Sequence, residues 1–428
     1  MSSSRSAVCA VAVAAALLAA PRADALQPLE EFLGSARTSS PDNREARAGT
    51  ELSQAVSSVA TGRLLPGVTL HGSYARNQYD VTEPLGGGGV LTLTPHDQLD
   101  AFATLNVSLF DAASFVRARA ASGNARAAQQ SEKDAALQVE SGVAQAWYQV
   151  VADVGLVEAS RRALDVARTN LTLTEHQRAA GTVAGLDLDR ARAEVERQVQ
   201  QLASAELGLR LDARALASRS GLAPELGAAP RLSDDLHEEA ALEAFVSPDV
   251  ALPALAAATE ARRAQEEQAR AQRLTLVPVL TGSLTEHGTN APGLLGHDWS
   301  YQGVLALNWS FDFTTLPAIR AEDARLAAAT AREERTRLAV HDAIHRAWNT
   351  VHTDLARSRS ARAQFEVSTR AADLARERYR VGAGTQLDLL QAQRDAFAAE
   401  VNAIQADADL VNARAQLRLA AGRSLLES

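Results

Sequence analysis

The sequence predicts a mainly α-helical protein with β-strands, built from long antiparallel coiled-coil hairpins and short strand pairs. Three observations support this fold class: an internal duplication, long stretches with apolar residues at steps of three and four, and short stretches in which apolar and polar residues alternate. Alanine and arginine, which favour helix, are abundant among the 428 residues, whereas only 4% are aromatic. We therefore expect mostly helix, with strands confined to two regions.

The duplication is visible as one pattern that occurs twice with a constant shift. Each copy contains a long helical segment with a tryptophan, then a glycine turn, and then a Leu-Asp pair that opens another helix. The constant offset from Asp111 to Gly221 indicates two large half-proteins rather than the short units of a solenoid. The pairs separated by 201 positions include Asp111 and Asp312, Trp147 and Trp348, Gly181 and Gly382, Asp187 and Asp388, and Gly221 and Gly422.

The first 25 residues have the pattern of a secretory signal peptide. Arg5 precedes an apolar run over 7–20, and the small residues at 23–25 fit a cleavage site, so the mature chain is expected to begin near Leu26. Cys9 is the single cysteine and lies inside this run. A mature chain without cysteine excludes disulfides, thiol catalysis and Cys-zinc sites.

Charge and motifs exclude several functional classes. The net charge is -9, Lys133 is the only lysine, and no basic stripe with interleaved aromatic residues is present, which argues against a nucleic-acid partner. The sequence contains no G-x-S-x-G motif and no nucleophile-base arrangement, so we expect no enzyme and no cofactor. After the signal peptide no run of 18 apolar residues occurs, so a membrane-spanning form would have to use strands.

Two pairs of segments have the alternation of strands with one apolar and one polar face. Apolar residues occupy alternate positions over 68–74 and 99–109 in the first copy, and over 276–284 and 299–311 in the second. Each segment approaches the roughly ten residues that a tilted membrane strand needs, and an apolar outer face is what lipid requires. The glycine-rich segment 86–89 is expected to be a surface loop.

A very long helix is predicted after each strand pair. Residues 112–180 contain no proline and would form a helix about 100 Å long at about 1.5 Å per residue. A glycine turn follows, a second helix runs back over 186–219, and the other copy repeats this over 316–379 and 387–421. Seams with coiled-coil spacing are expected to be buried: Val143, Trp147, Val150, Val154, Val157, Leu164, Ala167 and Leu171 in the first long helix, and Phe397, Val401, Ile404, Ala408, Val411 and Ala415 in the last helix.

These patterns predict two repeats and the segments around them. The linker between the repeats is broken by four prolines, with short helical pieces expected around 234–245 and 254–271. The predicted parts are a signal peptide (1–25), an N-terminal segment (26–62), a first repeat (63–222, with a β-hairpin over 64–111 and a helical hairpin over 112–221), the linker (223–272), a second repeat (273–422, with a β-hairpin over 273–313 and a helical hairpin over 316–421) and a C-terminal tail (423–428).

One copy of the chain supplies too few strands to close a barrel and too few helices to form a tube. Four strands are too few to close a barrel, since single-chain membrane barrels begin at about eight, and an open sheet in lipid would leave its edge groups unpaired. Three copies would supply about twelve strands for a closed barrel. Helix pairs of this length also need neighbours along their sides, and three copies would form a continuous helical tube.

The motif Y-R-V-G-A-G-T-Q-L-D-L-L-Q-A-Q from Tyr379, its earlier copy, and the two A-W-x-x-V segments resemble the TolC-like outer membrane efflux proteins. The resemblance covers nearly all of the mature chain. It implies a homotrimer with a twelve-strand β-barrel in outer-membrane lipid and an α-barrel in the periplasm. It also implies two partners, a periplasmic adaptor protein and an inner-membrane transporter.

The resemblance assigns two groups of site residues at the far end of the helices. Gly181, Gly185, Gly382 and Gly384 form turns that require positive φ, and the family docks its adaptor there. Tyr379 matches a tyrosine that bonds an aspartate, here Asp187, to hold the entrance closed, and Asp388 matches an acid of the constriction. A second acid falls on Gln391 and a basic residue on Gly384, which are departures from the family. For Asp187 and Asp388, the structural alternative is helix capping.

The function predicted is an outer-membrane exit duct of a tripartite efflux pump. Two alternatives remain open: the duct of a type I protein secretion system, and a periplasmic coiled-coil scaffold without a pore. His341 and His345 have a spacing that suits a metal, but no H-E-x-x-H motif is present, so a solvated face is preferred and no metal is expected.

Overall fold

The computed structural model describes residues 26–85, 89–227, 232, 234–246, 252–292 and 296–426. The predicted signal peptide and most of the predicted loop at 86–89 lie outside these residues. The chain divides into two units. The helical unit comprises the chain up to Glu45, Lys133–Leu252 and Ala339–Ser428, and the sheet-bearing unit comprises Ala46–Glu132 and Pro253–Leu338.

The sheet-bearing unit contains a four-stranded antiparallel sheet in the order β1-β4-β5-β6. Strand register places Val68, Leu105 and Leu284 in one row and Thr69, Thr104 and Thr285 in the next. The predicted division into an apolar and a polar face is therefore confirmed. The strands are β1 (Gly67–Arg76), β2 (Val81–Leu85), β3 (Gly89–Thr94), β4 (Asp97–Phe110), β5 (Val279–Thr289) and β6 (Trp299–Asn308).

Three details of the strands differ from the sequence prediction. The region between β1 and β4, predicted as a loop, contains a second hairpin in which β2 pairs with β3. β5 begins at Val279 rather than 276, because the preceding helix ends in a turn in which the Leu276 amide donates to Arg273. β6 ends at Asn308 rather than 311, and the Trp309 indole instead donates to the Leu276 carbonyl at 3.0 Å.

Seven helices are described. The two longest, α3 and α6, are continuous over 68 and 66 residues, as predicted for α3 from its lack of proline and for α6 from the duplication. Pro317 of α6 lies in its first turn, where proline is tolerated. None of the described helices is both long enough and apolar enough to cross a membrane. The helices are α1 (Leu29–Ser39), α2 (Pro41–Gly62), α3 (Ala112–Ala179), α4 (Gly185–Ser220), α5 (Pro253–Leu274), α6 (Thr315–Arg380) and α7 (Gln386–Ala420).

The linker contains less helix than predicted. α5 confirms the piece expected around 254–271, but over 234–245 the chain forms only one 3-10 turn, Leu242–Ala244. The Asp234 carboxylate accepts from the Leu236 amide at 2.7 Å, and Leu236 has a φ of 59°. This local turn competes with helix, because short polar side chains offer the backbone other partners and a left-handed residue breaks the helical path.

The hydrophobic core of the helical unit reflects the duplication. One cluster packs α1 against α3 and α4, and the second packs the linker residue Phe245 against α6 and α7. Residues related by the 201-residue shift occupy the same places in each: Val143 and Ile344, Val150 and Val351, and Leu216 and Leu417 are all fully buried. The seam predicted for α3 is buried from Val143 to Ala167, whereas its last member, Leu171, is only half-buried.

The seam predicted for α7 is only partly correct. Ala408 and Ala415 are buried, whereas the larger members of that seam are half-exposed. The completely buried stripe lies two residues further along, and its small alanines let neighbouring helices approach closely. It consists of Ala399, Ala403, Ala406, Leu410, Ala413 and Leu417.

The two duplicated tryptophans anchor different segments. The Trp147 indole donates to the carbonyl of Gln27, just before α1, at 3.0 Å. The Trp348 indole donates to the carbonyl of Ala240, in the linker, also at 3.0 Å. A buried indole needs a hydrogen-bond acceptor, and each repeat takes it from the irregular segment that covers its core.

Candidate functional site

The candidate site lies where α3 turns into α4 and where α6 turns into α7. Gly181 and Gly382 both have a φ of 75°. After α3, the Gly181 amide donates to Arg178 and the Thr182 amide to Gln177, both at 3.0 Å. The same pair of bonds closes α6, so both turns are Schellman motifs, in which glycine avoids the strain of a left-handed backbone.

The other two glycines have different roles from those predicted. Neither Gly185 nor Gly384 has positive φ, so the prediction of a left-handed requirement is wrong for both. Gly185 opens α4 and has open space where a Cβ would be. At Gly384 a Cβ would lie 3.2 Å from the Cβ of Arg378 and 3.4 Å from the Tyr379 nitrogen, so a close approach of the chain selects glycine.

The two aspartates also separate in role. Asp388 and Thr385 form a reciprocal capping box at the start of α7, with the Asp388 amide 3.1 Å from the Thr385 hydroxyl. The Thr385 side chain, and then its amide, lower the pKa of Asp388. Asp187 lies in the first turn of α4 but makes no cap, and its described partner is Arg190 at 3.4 Å. The structural alternative is therefore confirmed for Asp388, whereas Asp187 lies in the first turn, where an acid complements the helix dipole, but does not form the predicted cap.

Tyr379 is buried at the end of α6 and contacts α3. Its hydroxyl donates to Gln177 Oε1 at 2.8 Å and lies 3.5 Å from the Thr174 hydroxyl. The expected bond to Asp187 is not formed, because the tyrosine ring packs against the last turns of α3, whereas Asp187 is on α4 and pairs within its own helix. Gln391 is exposed and donates to Asp395 at 2.9 Å.

A network of buried polar side chains extends from this tyrosine, and the sequence interpretation did not include it. Asn170 on α3 donates to Gln393 on α7 at 2.7 Å. Gln386, only 3% exposed at the start of α7, has no hydrogen-bond partner for either side-chain polar atom among the described residues. A signal was present in part, because Asn170, Thr174 and Gln177 continue the steps of three and four of the α3 seam with polar residues.

The sequence matches the family described as outer membrane efflux protein over residues 32–222 and 251–423. The chain belongs to this outer membrane efflux protein family. That match includes both repeats and both turns of the candidate site. No curated protein sequence matches the chain.

Solved structures of low sequence identity share the fold of this efflux protein. A structure of CusC has a TM-score of 0.80 at 15% identity, with 92% of each chain covered. The Campylobacter jejuni CmeC outer membrane channel has a TM-score of 0.78 at 16% identity, covering 93% of this chain and 86% of that one. The open state of the Neisseria gonorrhoeae MtrE outer membrane channel has 0.75 at 18%, covering 93% and 89%.

One cluster in the efflux protein has the residue types of a metal site but already holds a cation. Ligand atoms of Asp234, Asp235 and His237 lie within 4.8 Å of one another. Arg414 of α7, itself only 9% exposed, reaches Asp234 at 2.9 Å and His237 Nε2 at 2.6 Å, and it also bonds Glu239. The guanidinium neutralises these acids and connects the linker to α7. We therefore interpret the cluster as a structural ion network rather than as a metal site.

Proposed function

We propose that three copies of the chain form an outer-membrane exit duct for a tripartite efflux pump. The observation that carries this proposal is the sheet, whose order β1-β4-β5-β6 leaves β1 and β6 as edges among the described residues. Free strand edges in lipid cost several kcal/mol per unpaired group, so the sheet needs further strands. Copies of the same chain are the simplest source of matching strands, and three of them supply about twelve.

The strand directions support closure by identical copies. Each neighbouring pair in the order β1-β4-β5-β6 is antiparallel, so β6 runs opposite to β1. When β6 of one copy meets β1 of the next, the new pair is again antiparallel. A closed ring can therefore keep the all-antiparallel pattern of membrane barrels without reversing any copy.

The apolar face of the sheet supports a lipid-facing role. Leu70, Tyr301 and Leu305 share this face and are 77%, 83% and 76% exposed. So much exposed apolar surface on one side of a sheet marks contact with lipid or with another protein. Glu286 lies on the same face opposite Tyr301, three residues from the end of β5, where an interfacial depth tolerates a charge.

The proposed duct ends at the turns described above. Gly181, Gly185, Gly382 and Gly384 would form the rim that meets a periplasmic adaptor protein, which links the duct to an inner-membrane transporter. Tyr379, Asp187, Asp388 and Gln391 would surround the entrance. The contact of Tyr379 with Gln177 ties α6 to α3 at this level and is the bond that opening would have to break. The transporter supplies the energy, and the duct conducts passively.

The two alternatives make different demands on the chain. A duct for exported polypeptides would use the same fold, and the efflux description of the family favours the pump. A periplasmic scaffold without a pore would leave the exposed apolar face of the sheet without a function. The proposal assigns no catalytic residue and no cofactor.

Engineered cysteines test the ring directly, because the sole natural cysteine is Cys9. We would combine Leu70→Cys on β1 with a cysteine on β6 at 301, 305 or 307, and oxidise outer-membrane fractions. One of these pairs should give covalent trimers. The control is Leu105→Cys with Leu284→Cys, which are register partners on β4 and β5 and should crosslink only within one copy. A correctly folded monomer that stays dispersed without detergent would refute the proposal.

Conduction is measured on the purified oligomer. Reconstituted into planar bilayers, it should produce steps of ionic current, whereas a scaffold would produce none. Co-purification with the adaptor and transporter of a drug pump would support the efflux duct, whereas co-purification with a polypeptide exporter would support the secretion duct.

A further inference from the structure

A pair of aspartates without a cation lies between the two helices of the first hairpin. Asp153 on α3 is only 7% exposed. Its Oδ1 accepts from Gln149 at 3.1 Å, but its Oδ2 is buried with no hydrogen-bond partner among the described residues. The Asp212 carboxylate on α4 lies opposite, within reach of a hydrogen bond from a protonated Asp153.

Charged side chains on α3, α4 and α7 form ion pairs or hydrogen bonds with residues other than these two aspartates. On the two helices themselves, Arg161 of α3 pairs with Glu206 of α4 at 3.2 Å, and Arg210 of α4 donates to the Glu206 carbonyl. From α7, Glu400 is paired with Arg162 of α3 at 2.6 Å.

A further ion pair joins α6 to α7. Asp407 of α7 is held by Arg362 of α6 at 2.9 Å. No described arginine or histidine therefore forms an ion pair with Asp153 or with Asp212.

In the second repeat, an arginine lies next to the corresponding pair of acids. Asp354 is the equivalent of Asp153, shifted by 201 residues, and it faces Asp409 of α7. Arg357 lies between them, 3.0 Å from Asp354 and 3.6 Å from Asp409. The first repeat has Leu156 at the position of Arg357, so its acid pair has lost, or never gained, the neutralising group.

We propose that Asp153 holds a proton that it donates to Asp212 across α3 and α4, and that loss of this proton weakens the first helical hairpin. Two facing carboxylates cannot both ionise cheaply in a buried site, and a proton lets one donate to the other. With the proton removed, two like charges are left on helices that must stay packed. The pair has no arginine to offset its charge, whereas Arg357 partly offsets the charge of the corresponding acids in the second repeat.

The strength of proton binding follows from the environment. Burial, and then the Asp212 carboxyl, raise the pKa of Asp153 from 3.8 to about 7, while Gln149 opposes this in part. A rise of about three pKa units is about a thousand-fold tighter proton binding than in an ordinary aspartate. Because the folded form binds the proton more tightly, the stability from this site is complete below the ordinary pKa and is lost as the pH rises through about 7.

The test uses the full chain in detergent and reads the proton directly. Infrared difference spectra should show the carbonyl band of a protonated carboxylic acid near pH 6, and the band should fade toward about pH 8. Asp153→Asn should remove it. The Asp354→Asn variant, at the matched position beside Arg357, should leave it unchanged.

Transplanting the arginine gives the decisive variant. Leu156→Arg should remove the band and flatten the fall in thermal midpoint that is expected of the wild type between about pH 4 and about pH 7. If this variant does not fold, Asp212→Asn should flatten the same profile. A wild type with no acid band near pH 6, or a midpoint that responds to Ca²⁺, Mg²⁺ and chelator rather than to pH, would overturn the proposal in favour of ordinary ionised acids or a bound cation.

Discussion

Arg394 on α7 donates two hydrogen bonds, at 2.9 and 2.8 Å, to one carboxylate oxygen of Glu194 on α4. This contact joins the second helices of the two repeats just above the turns. Glu194 is almost completely buried and also receives bonds from Arg197 and Gln198. The helical unit thus carries one well-neutralised acid between its repeats and one poorly neutralised pair, Asp153 and Asp212, within the first.

Removing the Arg394 side chain should weaken the joint between the repeats. Arg394→Ala is expected to cost about 1–3 kcal/mol, because a buried charged acceptor loses two donors while Arg197 remains. Burial acts to raise the pKa of Glu194, but the Arg197, Gln198 and Arg394 bonds together lower it. Because the folded-state pKa is lowered, Glu194 stabilises the fold above the ordinary pKa of glutamate and loses that contribution as the pH falls. The difference in stability between wild type and variant should therefore be largest near neutral pH and should shrink in acid.

The comparison is a series of thermal unfolding curves from neutral to acidic pH. Arg192→Ala is the control, since its contact with Asp189 is exposed and 3.9 Å long. Equal acid sensitivity of Arg394→Ala and wild type would contradict the assignment.

The bond between Tyr379 and Gln177 should restrain the entrance of the proposed duct. Tyr379→Phe combined with Gln177→Leu removes both polar partners while keeping the packing, and single-channel conductance or opening frequency should rise. The matched control is Asp187→Ala, which removes the partner expected from the family and leaves this bond intact. A rise with Asp187→Ala and none with the double variant would reverse the two roles.

Arg414 should be the most sensitive of the charged residues that hold the linker. Arg414→Met leaves Asp234 and Glu239 without their cation in a largely buried site, which typically costs about 3–5 kcal/mol. The segment 234–246 should then become accessible to protease before the rest of the helical unit unfolds. Arg370→Ala serves as the control, because its contact with Glu366 lies within α6 and both side chains are exposed. Equal protection in both variants would show that apolar packing alone holds the linker.

The features that could be predicted from sequence are the periodic ones. Duplication, strand alternation and the long helices are each repeated many times along the chain, so one misleading residue does not change the conclusion. The linker was harder, since Asp234 and Leu236 form a single local turn with no period. The α7 seam was displaced by two residues because that helix has apolar and small residues on several sides, and tertiary contacts decide which of them are buried.

The candidate site divides in the same way. The left-handed turns at Gly181 and Gly382 follow from local backbone chemistry, which sequence expresses directly. The partner of Tyr379 depends on how α6 packs against α3, and no local pattern encodes that choice. Family resemblance supplied Asp187 instead, and the structure places Gln177 there.

Three of the four turn glycines provide a graded test of this distinction. Gly382→Ala should cost about 1–2 kcal/mol, because alanine is strained in the left-handed region. Gly384→Ala should cost less but disturb Tyr379, whose nitrogen would lie 3.4 Å from the new Cβ. Gly185→Ala should be neutral or slightly stabilising, since the space around it is open. The thermal midpoint should therefore be lowest for Gly382→Ala, higher for Gly384→Ala and highest for Gly185→Ala. A marked loss of stability in Gly185→Ala would contradict the open space seen around this glycine.

Gln386 is a buried amide whose polar atoms have no partner among the described residues, directly beside the proposed entrance. An unsatisfied buried amide typically costs about 1–3 kcal/mol, so Gln386→Met should raise the thermal midpoint of the chain. The control is Gln391→Met on the exposed face, expected to change stability by less than about 0.5 kcal/mol. If opening the entrance lets water reach Gln386, the methionine should also lower the opening frequency, because only the closed form gains from the apolar side chain. A destabilised Gln386→Met would show instead that the amide has a partner in the assembled protein, supplied by a neighbouring copy or by bound water.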